Sequence, residues 1–217
     1  MYTEKMEKHY KNIVWDWNGT LLDDVYVGLD TLNCMLDKRD LPVLTLEDYR
    51  RTFGFPVEDF YKVVGFDLQR ESMHELSVDF VETYDRYAQG VGLHRESREV
   101  LENLKNSGVK QYILSALRED LLHEMLETYH IGGYFTCACG SDNIYAAGKI
   151  ERGKRMVEAC GLRPEETLMV GDTLHDAEVA KALGFSVVLY AGGHNSEQRL
   201  RKMAPVVFSL HELPGQL

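Results

Sequence analysis

A chain of 217 residues, 44% of them hydrophobic, is long enough to bury a substantial core, as one large α/β domain or as a core carrying a smaller inserted domain. Its formal charge of −11 repels phosphate backbones, which argues against nucleic acid as a partner and for a divalent cation; a small anionic substrate then needs local positive charge. No apolar run approaches the length that spans a bilayer, and Met1 to Lys11 is too polar for a secretory signal, so a cytoplasmic protein is expected, with monomer and homodimer both open.

In chain order, the first element is the apolar run Ile13 to Trp15, which ends on Asp16 and is followed at once by Asn18-Gly19-Thr20-Leu21. A strand with that ending presents a carboxylate at the mouth of a parallel sheet. Open α/β sheets hold their ligands there, and a carboxylate so placed can act as a nucleophile toward phosphorus. From about Asp24 to Gln89 the pattern is helical, with no convincing strand. Thr45 followed by Asp48 opens one helix as a capping-box pattern, Gly54-Phe55-Pro56 interrupts the next, and Glu71 to Tyr87 is a long amphipathic segment ending at Gly90. About four helices are therefore expected over residues 24–90, standing as a cap over a core made of 1–23 and 91–217.

Beyond Gly90, short apolar runs alternate with amphipathic helical patterns. The runs are Tyr112 to Leu114, Tyr134 to Ala138, Leu168 to Val170, Ser186 to Tyr190 and Val206 to Ser209. The helical patterns are Arg98 to Lys105, Arg118 to Tyr129, Arg152 to Ala159, His175 to Leu183 and Glu197 to Met203. Such alternation predicts a parallel sheet with helices on both faces. The four cysteines, Cys34, Cys137, Cys139 and Cys160, show no C-x-x-C pair; Cys137 and Cys139 alternate along a strand and are read as packing residues.

Several polar residues fall on successive strand ends. Asp16 closes the first strand. Ser115 closes the run ending at Leu114, where a hydroxyl can donate to a phosphoryl oxygen. Lys149, after Ala146-Ala147-Gly148, can neutralise that group. Gly171-Asp172-Thr173-Leu174-His175-Asp176 ends a strand on one acid and supplies a second near the start of the next helix. Two carboxylates so placed can share Mg²⁺ through oxygen ligands. Each feature alone has a plainer explanation: Asp172 as a helix cap, Asp176 as an acid favoured by the helix dipole, Ser115 as a turn residue, Lys149 as a solvated surface residue.

In this order the motifs make the chain resemble the haloacid dehalogenase superfamily, in its phosphatase branch with a helical cap after the first motif. The resemblance covers the chain from Asn12 onward. The family's first motif, D-x-D-G-T-L, is met by Asp16, Gly19, Thr20 and Leu21; Ser115, Lys149 and the pair Asp172 and Asp176 match the remaining three. It implies a Rossmann-like α/β core with an inserted α-helical cap domain. It further implies that Asp16 attacks phosphorus, that Mg²⁺ is held by Asp16, the backbone carbonyl of Asn18, Asp172 and Asp176, and that Ser115 and Lys149 anchor the phosphoryl group. Trp17, Gly19, Thr20 and Ala116 are assigned to substrate binding beside those motifs. The run Tyr49 to Gly54 most resembles phosphoglycolate phosphatase-like members, which adds Arg50, Arg51 and Gly54 to the substrate-binding set; Arg50 or Arg51 would meet a substrate anion, or else be solvated or paired with Glu47 and Asp48.

Asn18 departs from the family pattern. The second acid of the first motif protonates the leaving oxygen and then activates water, and an amide does neither near neutral pH. General acid–base help is worth about 10²–10⁴-fold, roughly 3–5 kcal/mol of barrier, so its loss slows turnover without erasing the metal site. His175 or His194 are candidates to substitute. Phosphonoacetaldehyde hydrolases share a tryptophan at the place of Trp17 and lack the second acid, but they need a cap lysine, and Phe53 to Val57 holds none before Lys62. Sugar phosphomutases depend on the second acid. The expected function is thus hydrolysis of a small phosphorylated metabolite, phosphoglycolate-like, with weakened acid–base catalysis. The alternative is an impaired relative that binds Mg²⁺ and a phosphorylated ligand as a binding or regulatory protein. Asn18-Gly19 is also a sequence prone to deamidation in flexible chains, which would regenerate the missing acid.

Overall fold

The computed structural model describes residues 10–143 and 148–216; the polar start as far as His9 and residues 144–147, with Ala146 and Ala147 before Lys149, lie outside the described residues. Side chains of extended backbone alternate in direction, so each apolar run feeds two faces of a sheet. Here the runs form strands β1 (Asn12–Trp15), β2 (Lys110–Arg118), β3 (Phe135–Ser141), β4 (Thr167–Gly171), β5 (Ser186–Tyr190) and β6 (Val206–Val207). They make one six-stranded sheet in the order β3-β2-β1-β4-β5-β6, and every pairing is parallel. The order reverses at β1, whose neighbours β2 and β4 lead to opposite edges, and a crevice opens at the carboxyl ends of the strands at such a point.

The two faces are covered by different helices. Ile13, Trp15, Ile113, Leu168 and Val170 pack with Val100, Leu101 and Leu104 of α5 (Ser97–Asn106), and with Leu122 and Leu126 of α6 (Glu119–Thr128). Val14, Tyr112, Leu114 and Met169 pack with Met156 of α7 (Lys149–Cys160), and with Val179, Ala180 and Leu183 of α8 (Leu174–Leu183). Each buried aliphatic side chain contributes about 1.5–3 kcal/mol relative to exposure. Cys137, Cys139 and Cys160 all border the second cluster. The α/β core with helices on both faces is therefore as its sequence pattern predicts.

Between β1 and α5 the chain forms α1 (Val25–Asp37), α2 (Leu46–Thr52), α3 (Val57–Val64) and α4 (Met73–Tyr87). It leaves and re-enters the core through a narrow neck. There the N–H of Asp23 donates to Gly92 O and that of His94 to Leu21 O, each at 2.9 Å. The helices own a separate apolar cluster, including Val25, Leu32, Leu36, Phe60, Tyr61 and Leu76, and α1 is tied to α4 by Lys38–Asp79 and Arg39–Asp79 ion pairs. Thr45 caps α2 by accepting from the Asp48 N–H at 3.1 Å. Ser72 and Glu75 form the reciprocal capping box of α4, which is why that helix starts at Met73 and not at Glu71.

Other boundaries shift for local reasons. β2 runs on past Leu114 to Arg118 with a register shift against β3, so Ser115 lies inside the strand and does not close it. α7 begins at Lys149, three residues before Arg152. β6 stops at Val207, and α9 (Glu197–Leu200) ends in a turn short of Met203. No helix among the described residues is long and apolar enough to cross a membrane.

Candidate active site

Strand register sets the first acid. Trp15 of β1 lies beside Ile113 of β2 and Val170 of β4, and the next residue, Asp16, donates its N–H to Val170 O at 2.8 Å. Asp16 is thus carried to the carboxyl edge of the sheet at the point where the strand order reverses. On the adjacent strand, β4 ends at Gly171 and Asp172 follows. Thr173 is the N-cap of α8, with Asp176 closing the reciprocal box. One oxygen of Asp176 accepts from the Thr173 N–H at 3.0 Å and the Thr173 hydroxyl at 2.7 Å, while the other accepts from Lys149 Nζ at 2.7 Å. The plainer reading of Asp176 as a helix-start residue is met, and the same side chain lies among the clustered acids.

Lys149, at the start of α7, also donates to Asp16 Oδ1 at 2.5 Å. Asp172 accepts from the Thr20 hydroxyl at 3.0 Å and from the His194 N–H at 2.6 Å. Its carboxylate is enclosed by glycine backbone: a Cβ at Gly19, whose φ is +72°, or at Gly193 would collide with Asp172. Oxygen atoms of Asp16, Asp172 and Asp176 lie within 4.8 Å of one another, and all three residues are buried.

This arrangement concentrates three carboxylates around one ammonium. Burial, with Asp176 and Asp172 adding to it against the pull of Lys149, raises the Asp16 carboxyl well above the usual carboxylate range. Burial likewise pushes Asp172 up to about 6, with the positive His194 opposing and Asp176 adding. For Asp176 the burial cost is outweighed by Lys149 and by the Thr173 hydrogen bonds, and its carboxyl is lowered. For Lys149, burial is outweighed by Asp16 and Asp176, which hold the ammonium above its ordinary value. An all-oxygen donor set with this excess of buried negative charge fits a hard divalent cation such as Mg²⁺.

Beside the acids lies a second polar cluster that sequence reasoning missed. Asn18 Nδ2 donates to Asp24 Oδ2 at 2.7 Å and approaches the Tyr84 hydroxyl at 3.3 Å. Tyr84 OH donates to the same Asp24 oxygen at 2.7 Å, the Gly19 N–H donates to the other at 2.7 Å, and His194 Nε2 lies 3.3 Å from it. Tyr49 OH is 2.9 Å from His194 Nδ1. Asp24 is buried, but pairing with His194 and the Tyr84 and Asn18 hydrogen bonds outweigh that, and its carboxyl is lowered. His194 is held up at about 9 because Asp24 outweighs the cost of its burial. Of this cluster the sequence marks Asn18, as a departure from the motif, and His194, as an acid–base candidate; nothing in the local pattern around Asp24 marks it.

The remaining candidates are placed as follows. Ala116 joins Asp16, Asn18 and Lys149 in the wall of a cavity of about 730 Å³ between the sheet edge and the helices of the insertion. Ser115 is buried with its hydroxyl accepting from the Leu117 N–H at 3.0 Å. The Trp17 ring turns away from the cavity into the core, 6.3 Å from Tyr129; it shares the cluster of Ile13 and Trp15, on alternate residues from Asp16. Gly19 and Thr20 hold acids, Asp24 and Asp172 respectively. Arg50 does not face the cavity: its guanidinium donates to the carbonyls of Gly193 and Gly192 at 2.9 and 2.8 Å. Arg51 pairs with Asp48 on the exposed side of α2. Gly54 lies against Arg199, whose guanidinium serves the Phe53 and Arg50 carbonyls. His175 is paired with Glu178 at 3.2 Å.

With this geometry in view, residues 13–190 match the haloacid dehalogenase-like hydrolase family, and the chain belongs to it. It falls in the phosphatase branch, near the phosphoglycolate phosphatases. The chain is 28% identical over 191 residues to a phosphoglycolate phosphatase of Caulobacter vibrioides, covering 85% of this chain and 81% of the relative. It is 26% identical over 223 residues to that of Nitrosococcus oceani, covering 98% of each. Among solved structures, a haloacid dehalogenase-like hydrolase of Streptococcus pneumoniae superimposes with a TM-score of 0.78 at 20% identity, covering 95% of this chain and 97% of the other. A phosphatase of Clostridium acetobutylicum, so described by prediction, gives 0.78 at 20% identity and covers 96% and 98%. At that identity the likeness speaks for the fold alone.

Proposed function

We propose that the protein is a Mg²⁺-dependent phosphatase acting on a small phosphorylated metabolite in the cytoplasm, as a monomer or homodimer, through a covalent aspartyl phosphate on Asp16. The observation that carries this reading is the buried Asp16 carboxylate at the end of β1, 2.5 Å from Lys149 and clustered with Asp172 and Asp176. An Asp16 oxygen attacks phosphorus, the bond from phosphorus to the alcohol oxygen breaks, and the alcohol departs with that electron pair and gains a proton. Water then attacks the same phosphorus, the bond to Asp16 breaks, and inorganic phosphate and the free carboxylate result. Lys149 holds Asp16 as the ionised carboxylate that the attack requires, and Ser115 and Lys149 anchor the phosphoryl group.

Mg²⁺ would be held by Asp16, Asp172, Asp176 and the Asn18 backbone carbonyl, and when bound it supplies positive charge to the phosphoryl oxygens. The division into a core of 1–23 and 91–217 and a cap of 24–90 belongs to the same reading: the cap covers the reacting atoms and selects the alcohol. Phosphoglycolate, the substrate named by the relatives, is the first ester to test. Asn18 slows both proton-dependent steps, and esters with good leaving groups suffer least in the first.

A second reading, a Mg²⁺- and phosphate-binding protein with no useful turnover, is favoured by one observation. The Asn18 amide is a built-in donor to Asp24 at 2.7 Å, a role that an ionised aspartate at this position does not fill. The test is Mg²⁺-dependent phosphate release by the native protein and Asn18→Asp side by side, on phosphoglycolate, sugar phosphates, nucleotides and an acyl phosphate. Comparable turnover by the two supports the phosphatase; turnover by Asn18→Asp alone moves the function to binding.

A further inference from the structure

The wall of the cavity facing Asp16 differs in chemistry from the sheet edge. The helical insertion contributes rings and aliphatic groups, among them Phe53, Phe55, Phe60, Phe80, Val81 and Met73. Of the tyrosines that join them, Tyr49, Tyr84 and Tyr129 have engaged hydroxyls, bonded to His194, Asp24 and the Val91 carbonyl respectively, and Tyr61 is buried in the aromatic cluster of the insertion. The volume, about 730 Å³, is in the range that accommodates a drug-sized ligand, about 300–1,000 Å³.

Among the described residues, the insertion itself contributes no basic side chain to the cavity, and the basic side chains on the core side are Lys149, Arg118, His175 and His194. Lys149 is paired with Asp16 and Asp176 at the reacting end, His175 with Glu178 and His194 with Asp24, and Arg118 pairs with Asp120 at the exposed rim. Asp24, Asp85 and Glu124 line it as well. Arg50, the cation of α2 nearest in sequence to the cavity-lining aromatics Tyr49 and Phe53, is turned onto the Gly192 and Gly193 carbonyls. A second anionic group on the substrate would be desolvated beside aromatic rings without a partner, which is costly.

We infer that the alcohol esterified to phosphate is bulky and uncharged, an aryl or branched alkyl group, and carries no carboxylate. This rests on the phosphatase reading for the position of the phosphoryl group, and it sets this chain's preference apart from a two-carbon acid such as glycolate. Burial of an apolar group in such a pocket supplies binding that a small polar alcohol cannot.

Two phosphonates that cannot be hydrolysed test this without turnover: 1-naphthylmethylphosphonate for an aryl ester and 3-phosphonopropionate for phosphoglycolate. Titrated calorimetrically into the native protein with Mg²⁺, the naphthyl compound is expected to bind at least about 100-fold more tightly. Val81→Trp, which enlarges a side chain of the apolar wall, is expected to weaken the naphthyl compound by about 10-fold or more and leave 3-phosphonopropionate within about 2-fold. Equal or tighter binding of 3-phosphonopropionate overturns the inference, as does an equal effect of Val81→Trp on both. Phosphate release from acetyl phosphate, whose organic part is too small to need the apolar wall, reads the reacting end separately: its absence with tight naphthyl binding retires the phosphatase reading and keeps the ligand class. If neither phosphonate binds, the inference is overturned.

Discussion

The two walls of the cavity are built to different rules. On the sheet edge, Asp16, Lys149, Asp172 and Asp176 are buried and cross-linked by short hydrogen bonds, and each oxygen is aimed by a strand end or a helix cap. Opposite them, the helices α1 to α4 present mainly rings and aliphatic side chains from their own cluster. One wall holds polar atoms by short hydrogen bonds; the other offers shape and apolar area. On the proposed function, reaction and selection should therefore be separable by substitution.

The largest effect falls on the first wall. Asp16→Asn removes the proposed nucleophile and should lower Mg²⁺-dependent phosphate release by at least about 10³-fold, while Phe80→Leu on the helical wall should change KM with less than about a 10-fold change in kcat. Steady-state kinetics on one ester check both, and an equal loss of kcat by the two would erase the distinction. Next comes Lys149→Met. It leaves Asp16 and Asp176 buried without their counter-ion, so it should destabilise metal-free protein by about 3–5 kcal/mol, with a smaller loss when Mg²⁺ is present. Urea midpoints with EDTA and with Mg²⁺ measure the difference.

The cluster at the neck gives a pH-dependent prediction. His194 is raised from its ordinary value to about 9 by Asp24, so its contribution to stability is complete below about 6.5 and disappears as pH rises through about 9. Roughly 3 kcal/mol is at stake by that shift. Thermal unfolding in EDTA between pH 6 and 10 should show this loss in the native protein and not in Asp24→Asn, which starts from the lower level. The smallest effect is a null one: the Gly19 N–H is committed to Asp24 Oδ1 at 2.7 Å, and the Asn18 amide to Asp24 and Tyr84. Deamidation at Asn18-Gly19 needs that N–H to attack the amide, so mass spectrometry of aged, folded protein should find Asn18 intact.

What could be read from the sequence tracks how local the encoding is. Asp16, Lys149, Asp172 and Asp176 each stand at the end of an apolar run or the start of a helix, and their order along the chain was enough to bring them together. The four helices between β1 and α5 were visible in periodicity, as was the alternation that built the sheet. Asp24 and His194 are 170 positions apart, and their contact depends on how the neck and the loop after β5 fold over one another, which no local pattern announces. The sequence leaves Arg50 open between a substrate anion and a solvated or acid-paired place on α2; the carbonyls of Gly192 and Gly193 that hold it are invisible there. Trp17 shares its neighbours' motif but not their direction, since alternation along the chain puts its ring in the core with Ile13 and Trp15. Ser115 was placed at a strand end because the apolar run stops at Leu114, whereas pairing with β3 resumes at Arg118.

On the proposed mechanism Asp16 becomes phosphorylated. The direct measurement is to incubate native protein with Mg²⁺ and acetyl phosphate, quench in acid, digest, and locate any phosphoryl adduct by mass spectrometry. A base-labile phosphoryl group on the peptide containing Asp16, absent from Asp16→Asn and longer-lived in the native protein than in Asn18→Asp, is the predicted result. Phosphate release that persists in Asp16→Asn, or an adduct on another residue, would contradict it.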